Sequence, residues 1–514
     1  MTIIKENNMK SIKYIALGLL MISSLNSCKS DFLDVEDTSA LTAEQAGQIA
    51  GEDPEVFLNG LWSWLVTFNT QNASADDAAH DDFCFMSVLH STDLMSEDIA
   101  LSGFHWFGYD YDFDNRMYNY RRVSVDWRTF YTTISKANEV LSLYPNGASN
   151  DDQKALLGQA YAIRGWAYYY LIQLFQNVVK ADGSLNIDAP GVPIIYTETD
   201  GKTLDEIAAA QGRNKVSDIF AVIESDLTKA VQLLTESNYE RPVTGSGKNN
   251  IDSHVANGLL ARFYLLVQQW QKAADAAKLA RDGYEMMDNA GLHDGFMDID
   301  NPEWMWGFNH TAETQTSFAS FFSHISNFAP GYGGLGYSSR LIDARLYSKM
   351  ADDDYRKTLF NGPDGDAQQE MPGAQLPYAN LKFGDDGSWT MDYVYMRAAE
   401  MVLIEAEAYA HLNDGAKAAQ TLKILMQARQ PSWDKTSVDV DYVLLQRRIE
   451  LWGEGFAYFD LKRNNKGVNR NYEGSNHLAG YLHEIPAQDV RWTYQIPRGE
   501  IQENDLISEQ DQNP

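Results

Sequence analysis

The side chains best suited to binding chemistry lie in a stretch between residues 99 and 120 that is rich in aromatic and acidic residues. We take the following members as candidate ligand contacts: Trp106, Phe107, Tyr109, Tyr111, Asp110 and Asn115. A flat aromatic ring can lie on the apolar face of a sugar ring, while carboxylates and amides hydrogen-bond to its hydroxyl groups. The glycines and Asx residues of this stretch predict a loop. The alternative interpretation is that the rings pin this loop to the body of the protein.

Trp106 is the strongest single candidate in the loop. Tryptophan has the largest flat apolar face, and Trp106 lies between Gly103 and Gly108 in a segment too polar to be buried as a whole. Five other tryptophans lie in segments whose sequence is typical of a helix or a strand, and they are predicted to be part of the core: Trp62, Trp64, Trp166, Trp304 and Trp306.

A second candidate surface lies at residues 318–337, where aromatic residues are again separated by glycines. Its candidate contacts are Phe328, Tyr332 and Tyr337. Packing of the loop against the body is the alternative here too. Residues 331–336 spell the dinucleotide-binding pattern G-x-G-x-x-G, but Pro330 precedes them and neither a buried strand nor a helix frames them. We therefore do not expect a nucleotide site.

Other chemistries leave no readable pattern, and we assign no catalytic residue, no metal site and no cofactor. The acidic run that starts at Asp110 resembles an EF-hand loop, but Asn115 occupies the glycine position and Arg121 the final glutamate position. The ten histidines show no metal-binding spacing, and no G-x-S-x-G nucleophile motif occurs. A glycoside hydrolase needs two carboxylates about 5–10 Å apart. Since none of the 72 acidic residues stands out as such a pair, this class is a remote alternative.

The N-terminus has the sequence features of a secretory signal peptide. Lys10 and Lys13 precede an apolar run from residue 14 to residue 25 that is too short to span a bilayer. The sequence Leu-Asn-Ser-Cys that ends at Cys28 resembles a bacterial lipobox. We expect residues 1–27 to be removed, Cys28 to be lipidated, and residues 28–50 to act as a tether. The other cysteine is Cys84, so a lipidated Cys28 leaves no pair for an intrachain disulfide.

The composition favours a large folded body with an acidic surface. The chain has 514 residues, 44% of them hydrophobic, and a formal net charge of −31. Removal of residues 1–27, which contain three Lys and one Glu, would bring the charge to −33. Such a charge argues against nucleic acid and against an anionic membrane surface as partners, because both attract positive charge.

Apolar residues at helical spacing predict a mainly α-helical protein with minor β-structure. Predicted helices cover residues 54–68, 126–143, 153–178, 216–236, 252–269, 271–287, 391–412, 415–429, 439–452 and 454–463, and a strand is predicted at 303–310. We expect one body over residues 51–514. Its helix-pair scaffold lies mainly at 126–288 and 391–463, and its larger insertions lie near 69–120 and 301–390.

The segment 161–179 predicts a helix that is buried on several sides, because apolar residues surround it instead of forming one stripe. Gly165 would cost about 1 kcal/mol relative to alanine inside a helix. We therefore expect another backbone to approach closely at Gly165.

Two segments repeat one spacing pattern. Each begins with an alanine, has a tyrosine three residues later, and has small or apolar residues twelve, sixteen and nineteen residues after the first. The two sets are Ala261, Tyr264, Ala273, Ala277 and Ala280, and Ala406, Tyr409, Ala418, Leu422 and Leu425. This spacing is typical of tetratricopeptide helix pairs. Since the copies are not contiguous, the sequence predicts a broken array with large irregular insertions and not a continuous solenoid.

Several segments together resemble the SusD/RagB family of outer-membrane nutrient-binding lipoproteins. They are Cys28 with its acidic follow-on, DWRTFYTTISKANEVL at 126–141, ALLGQAYAIRGWAYYYLIQLF at 155–175, YMRAAEMVLIEAEAYAHLND at 395–414, RRIELWGEGFAYFDLKR at 447–463 and IPRGEIQENDLI at 496–507. The resemblance covers nearly the whole mature chain. It departs at the extreme end, where the family often has Asn-Pro-Gly-Tyr and this chain has Asn513-Pro514.

The resemblance implies more than the residues do by themselves. It implies four tetratricopeptide-like helix pairs, with ligand-facing insertions that include the two candidate surfaces. It implies a surface-exposed outer-membrane lipoprotein without catalytic activity that binds oligosaccharides and delivers them to a SusC-like TonB-dependent transporter. A peptide-binding protein of the RagB type, with the same architecture, is the alternative.

Overall fold

The computed structural model describes residues 55–71 and 78–514, and residues 55–514 form one compact unit. Cys28 and the predicted tether lie outside the described residues. The helices are α1 Glu55–Trp64, α2 Phe85–Leu94, α3 Gly108–Tyr111, α4 Arg121–Ser142, α5 Asp151–Phe175, α6 Leu204–Ala210, α7 Val216–Glu236, α8 Ser253–Leu266, α9 Trp270–Ala280, α10 Asn289–Leu292, α11 Phe321–Ile325, α12 Ala344–Tyr347, α13 Ala398–His411, α14 Gly415–Met426, α15 Val440–Glu450, α16 Ala457–Arg463 and α17 Arg498–Glu503.

The strands are short: β1 Ile99–Leu101, β2 Trp304–Phe308, β3 Arg340–Ile342, β4 Tyr393–Arg397, β5 Val468–Asn469 and β6 Glu484–Ile485. Within the described ranges they form antiparallel pairs, β1 with β3, β2 with β4 and β5 with β6. Single turns of 3-10 helix lie at Glu198–Asp200, Gly245–Asn249, Tyr355–Leu359, Pro372–Gln375, Ala479–Tyr481, Val490–Trp492 and Glu509–Asp511. The prediction of a mainly α protein with minor β-structure is confirmed.

The long helices pack one after another as an array. Helix α4 packs on α5, α5 on α7, α7 on α8, α8 on α9, α9 on α13 and α13 on α14. Both segments that share the repeat spacing are helix pairs of this array, α8 with α9 and α13 with α14. All ten residues of the two sets are buried. A small residue facing a neighbouring helix lets the two backbones approach, which is the packing that the pattern predicted.

Helix α5 is buried on most of its surface, as the apolar residues around its circumference predict. The side chain of Asn150 begins the helix by accepting a hydrogen bond from the backbone N–H of Gln153. At Gly165, an added Cβ would lie 3.0 Å from Cγ of Leu227 and 3.3 Å from Cβ of Asp226, both on α7. Gly165 therefore allows α7 to pack closely at this position, but the nearest atoms belong to side chains of α7 and not, as expected from the sequence, to its backbone.

The first part of the predicted helix at 391–412 is wrong. Residues Tyr393–Arg397 form strand β4, in which Tyr393 pairs with Phe308 and Arg397 with Trp304 of β2. All five residues of each strand are buried. Aromatic and β-branched residues favour a strand once a partner strand is present, but that partner lies far away in the sequence.

Helix α2 was not predicted, and α9 ends earlier than predicted. All ten residues of α2 are buried, including Ser87, His90 and Asp93. A helix that is covered all round by protein and contains polar residues has no apolar stripe to reveal it. Helix α9 ends at Ala280 instead of residue 287, and Gly283 follows with a φ of +82° that ends helical geometry.

Candidate functional site

Strands β1 and β3 bring the two predicted insertions together. Leu101 of the first insertion pairs with Arg340 of the second. Just beyond the strands, the backbone N–H of Ser102 donates to the carbonyl oxygen of Ser339 at 3.1 Å. The loops that follow β1 and precede β3 are thereby placed side by side.

Rings from both insertions meet next to this pairing, and we call this group the aromatic platform. Its members are His80, His105, Trp106, Phe318, Tyr332 and Tyr337. His80 stacks on Trp106, with ring centroids 5.2 Å apart and ring planes 21° apart. Tyr337 is 58% exposed, whereas Tyr332 is buried. The platform therefore combines an exposed rim with a buried anchor.

Hydrogen bonds fix the orientation of Trp106 in the platform. Its indole Nε1–H donates to the hydroxyl oxygen of Tyr332 at 2.8 Å. The same hydroxyl lies 2.7 Å from Nδ1 of His80. Each of the three rings thus limits the movement of the other two, although the residues come from different insertions.

Beneath the platform lies a buried cluster of imidazole and guanidinium groups. The ring of His324 stacks on Tyr332 at 4.6 Å and 9°, and its Nε2 donates to the backbone oxygen of His80 at 2.7 Å. Arg340 donates from Nε and Nη2 to Nε2 of His90, at 3.1 and 2.8 Å. Burial, together with the charge of Arg340, lowers the pKa of both His90 and His324 well below the usual value. These two histidines are therefore neutral near pH 7 and support the platform without adding charge.

A cleft of about 400 Å³ adjoins the platform, and Trp106 belongs to both. We call it the Trp106 cleft. It is lined by Asp81, Trp106, Tyr109, Asp110, Asp114, Asn115, Asn119, Tyr120, Arg121 and Arg122. Tyr109 is 61% exposed at its edge. The cleft thus places aromatic rings beside carboxylates and amides, within the volume range of small-molecule sites.

A buried set of ion pairs forms the floor of the Trp106 cleft. Arg122 donates to Asp110 at 3.0 Å and to Asp81 at 3.3 Å. The amide of Asn115 also donates to Asp110, at 2.7 Å. Below them, the carboxyl group of Asp126 lies 3.8 Å from Arg122 and has no hydrogen-bond partner among the described residues. Burial raises the pKa of Asp126 well above its usual value, which favours the neutral form of this carboxyl group.

Most of the predicted contact residues meet at this site: Trp106, Tyr109, Asp110, Asn115, Tyr332 and Tyr337. Phe107 and Tyr111 instead lie in the core. The hydroxyl group of Tyr111 lies 2.6 Å from Nδ1 of His477. These two rings pin the loop to the body, which was the alternative interpretation for the stretch. Phe328 is half-buried, and no described ring of the platform contacts it.

Sequence reasoning did not choose Asn119, Tyr120 and Phe318 as contacts although they lie in the two predicted stretches, and it missed His80 and Arg121, which lie outside them. The only signal for His80 was its place within an acidic segment, between Asp77 and Asp81, because its partner Tyr332 lies 252 residues away in the chain. Tyr120 and Arg121 form the junction between the loop and α4, and the prediction placed the start of that helix five residues later.

A larger cleft of about 520 Å³ lies against α5, α6 and α7, but its central charged groups already bind one another. Arg164 pairs with Asp200 at 2.8 Å and with Asp226 at 2.7 Å. Tyr196 is half-buried there. Across residues 55–71 and 78–514, no group of three or more His, Cys, Asp and Glu side chains is arranged to bind a metal ion.

The fold and the site define a helix-array protein with a partly exposed aromatic surface beside a cleft, and comparisons identify the family. A SusD-like family model described as "Starch-binding associating with outer membrane" matches residues 31–265. A second model, described as "SusD family", matches residues 373–514. The two matches together span well over half of the chain, and the chain belongs to the SusD/RagB family. Members of this family are non-catalytic binding proteins, so this chain is not an enzyme.

Individual relatives agree with this assignment. SusD-like protein P2 of Formosa agariphila is 24% identical over 66% of this chain and 71% of its own length. SusD-like protein P38 of the same organism is 22% identical over 90% of this chain and 93% of its own length. A crystal structure described as a SusD-like carbohydrate binding protein from Bacteroides vulgatus is 28% identical. It has a TM-score of 0.74 and covers 90% of this chain and 97% of that one. In the described part of this chain, none of the helices has the length and apolarity needed to cross a bilayer.

Proposed function

We propose that the protein binds carbohydrate at the cell surface, with the aromatic platform and the Trp106 cleft as its site. The observation that carries the proposal is the position of Trp106, which belongs to both. One face of its indole ring is covered by His80, while the side chain also lines the cleft. The part of the ring that lines the cleft can accept the apolar face of a sugar ring.

The surroundings of Trp106 suit the hydroxyl groups of a bound sugar. Asp114 and Asn119 are exposed on the cleft wall and can accept and donate hydrogen bonds. Tyr109 and Tyr120 offer further ring surface with a polar tip. The description of the family as starch-binding and that of the Bacteroides vulgatus relative as carbohydrate binding support the same class of ligand.

Trp106→Ala tests this proposal. Loss of a stacked ring from a binding hot spot costs about 2 kcal/mol, or roughly thirtyfold in affinity. We expect at least about tenfold weaker polysaccharide binding in affinity electrophoresis and in isothermal titration calorimetry. The thermal midpoint should change little, since Trp106 is only half-buried.

The matched control is Tyr118→Ala. Tyr118 is an aromatic residue of the same loop, 37% exposed, that does not line the cleft. The Tyr118→Ala variant should bind polysaccharide with the same affinity as the unchanged protein. Equal binding by the Trp106 and Tyr118 variants would contradict the proposed site. Unfolding of the Trp106→Ala variant would mean that the platform is structural. Release of shorter sugars by the pure protein would contradict non-catalytic binding.

We propose further that Cys28 carries a lipid anchor and that the protein delivers its ligand to a SusC-like TonB-dependent transporter. The lipobox supports the anchor, and family membership supports the transporter. Cys28→Ser should release the protein from the outer-membrane fraction or leave it unprocessed. Purification in mild detergent should recover a large β-barrel protein with it. Fractionation of Cys28→Ser with the outer membrane would contradict the anchor, and recovery of the lipoprotein alone in several detergents would contradict the transporter.

A further inference from the structure

The charged side chains that line the Trp106 cleft form ion pairs with one another, with one exception. The lining contains three carboxylates, those of Asp81, Asp110 and Asp114, and the two guanidinium groups of Arg121 and Arg122. Arg121 pairs with Asp81, and Arg122 pairs with both Asp81 and Asp110. A ligand anion would have to displace a carboxylate to reach the buried Arg122, and it would have to share Arg121 with Asp81.

The guanidinium nitrogens that are buried without a partner are Nη1 of Arg121 and Nη1 of Arg122, and neither is available to a ligand. The Arg121 side chain remains 34% exposed, but the carboxylate of Asp81, with which it pairs, lies beside it. The cation behind the platform is inaccessible. Arg340 is 1% exposed, and its donors bind His90 and Ser338. Among these positive groups, an anionic group on a sugar can therefore reach only Arg121, where it also meets the carboxylate of Asp81.

Asp114 is the exception, because it is exposed on the cleft wall and forms no ion pair with any described residue. Its carboxylate accepts a hydrogen bond from the hydroxyl group of Tyr120 at 3.3 Å. A free carboxylate can accept hydrogen bonds from sugar hydroxyl groups, and these bonds are strengthened by its charge. The same carboxylate repels an anion brought beside it, in a protein whose formal net charge is −31.

We propose that the Trp106 cleft selects uncharged glycans and rejects glycans that carry carboxylate or sulfate groups, with Asp114 as the determinant. This rests on the proposed function of the site. Neutral sugars satisfy the free acceptor at Asp114 and leave the ion pairs of the floor intact. Anionic sugars face the unpaired carboxylate of Asp114, while the partly exposed Arg121 of the cleft lining is already paired with Asp81.

The test compares neutral polysaccharides (starch, galactomannan, xyloglucan and mixed-linkage β-glucan) with anionic ones (polygalacturonate, alginate and carrageenan) by affinity electrophoresis. The best-retained neutral polysaccharide is then partially carboxymethylated, so that backbone and linkage stay the same while charge is added. We expect carboxymethylation to weaken binding at least about tenfold, whereas binding of the neutral form should change little between 50 and 500 mM salt. Equal or stronger retention of the anionic forms would overturn the inference.

Asp114→Asn and Asp352→Asn separate the role of Asp114 from that of the overall charge. Asp352 is exposed and does not line the cleft, yet its substitution removes the same single charge. Asp114→Asn should bind the carboxymethylated polysaccharide at least about threefold more tightly than the unchanged protein does. Asp352→Asn should bind it no more tightly than the unchanged protein does. An equal gain for both variants would overturn the role of Asp114.

Trp106→Ala distinguishes failure of this inference from failure of the proposed function. If the protein prefers an anionic polysaccharide and Trp106→Ala abolishes that binding, the site stands and the selectivity is wrong. If Trp106→Ala leaves binding to every retained polysaccharide unchanged, or if no polysaccharide of the set is retained, the proposed function itself is contradicted.

Discussion

At the scale of single residues, Glu450 is the carboxylate that binds the most buried arginines in the part of the chain that the structure describes. It is 3% exposed and accepts hydrogen bonds from Arg397 at 2.8 Å, Arg429 at 3.0 Å and Arg356 at 3.3 Å. The surrounding arginines lower the pKa of Glu450 well below its usual value. The side chain is thus a buried anion whose charge is required by its neighbours.

Glu450→Gln should destabilise the protein by about 3–5 kcal/mol near neutral pH, because it leaves buried guanidinium charge without compensation. Since the folded-state pKa of Glu450 is lowered, its contribution is fully present above about pH 4.5 and is lost as pH falls below that value. The difference in free energy of unfolding between the two proteins should therefore shrink between pH 5 and pH 3. Urea unfolding at several pH values measures it.

Glu139→Gln is the matched control for Glu450→Gln. Glu139 is an exposed residue of α4, and its substitution should change the free energy of unfolding by less than about 0.5 kcal/mol at every pH. A pH-independent difference for Glu450→Gln would argue that packing, and not charge, accounts for its effect.

At the scale of elements, the β1–β3 pairing is what turns two separate insertions into one surface. Gly103 lies where the loop leaves β1, and an added Cβ there would lie 2.5 Å from the carbonyl oxygen of Tyr337. Only a residue without a Cβ lets the two loops approach this closely. The positions of Trp106 on one side and Tyr332 on the other depend on this approach.

Gly103→Ala should therefore separate the loops and weaken polysaccharide binding by about tenfold, with a loss of about 1–3 kcal/mol in the free energy of unfolding. Calorimetric titration and urea unfolding measure the two effects. Gly60→Ala is the control, because Gly60 lies in α1 with no atom within 4 Å of an added Cβ. That change should keep binding intact and stabilise the protein by up to about 1 kcal/mol. Unaltered binding by Gly103→Ala would argue against a shared surface.

At the scale of the whole molecule, one core joins the helix array to the inserted strands. Trp166 of α5 is 1% exposed and contacts Phe85 of α2, Phe130 of α4 and Trp306 of β2. These partners come from the scaffold, from the first insertion and from the second. Loss of packing at Trp166 should therefore affect all three parts together.

Trp166→Ala should lower the free energy of unfolding by about 3–5 kcal/mol, because it leaves a cavity that the core cannot fill. Far-ultraviolet and near-ultraviolet circular dichroism should report one coincident transition at a lower denaturant concentration. Trp166→Phe, which retains a ring, should lose less. A transition of the insertions that precedes the transition of the array would show that the two parts are not one cooperative unit.

The sequence by itself determined the regular parts of this protein. Helical spacing predicted the scaffold helices, and the small and aromatic positions of the repeat predicted which faces meet. Alternation of apolar residues predicted the strand at Trp304–Phe308. These features are readable because their residues repeat along one element, so the period itself carries the information. The richness of the two insertions in aromatic residues was equally visible.

Tertiary structure alone decided which of those aromatic residues form a surface. Phe107 and Trp106 are neighbours in the sequence, yet Phe107 is buried in the core while Trp106 lines the cleft. Strand β4 and helix α2 were missed for a related reason, since their conformations depend on partners that lie elsewhere in the chain. Burial of a side chain is set by what the rest of the chain places around it. The contact of His80 with Tyr332, 252 residues apart, leaves no trace in the local pattern of either residue.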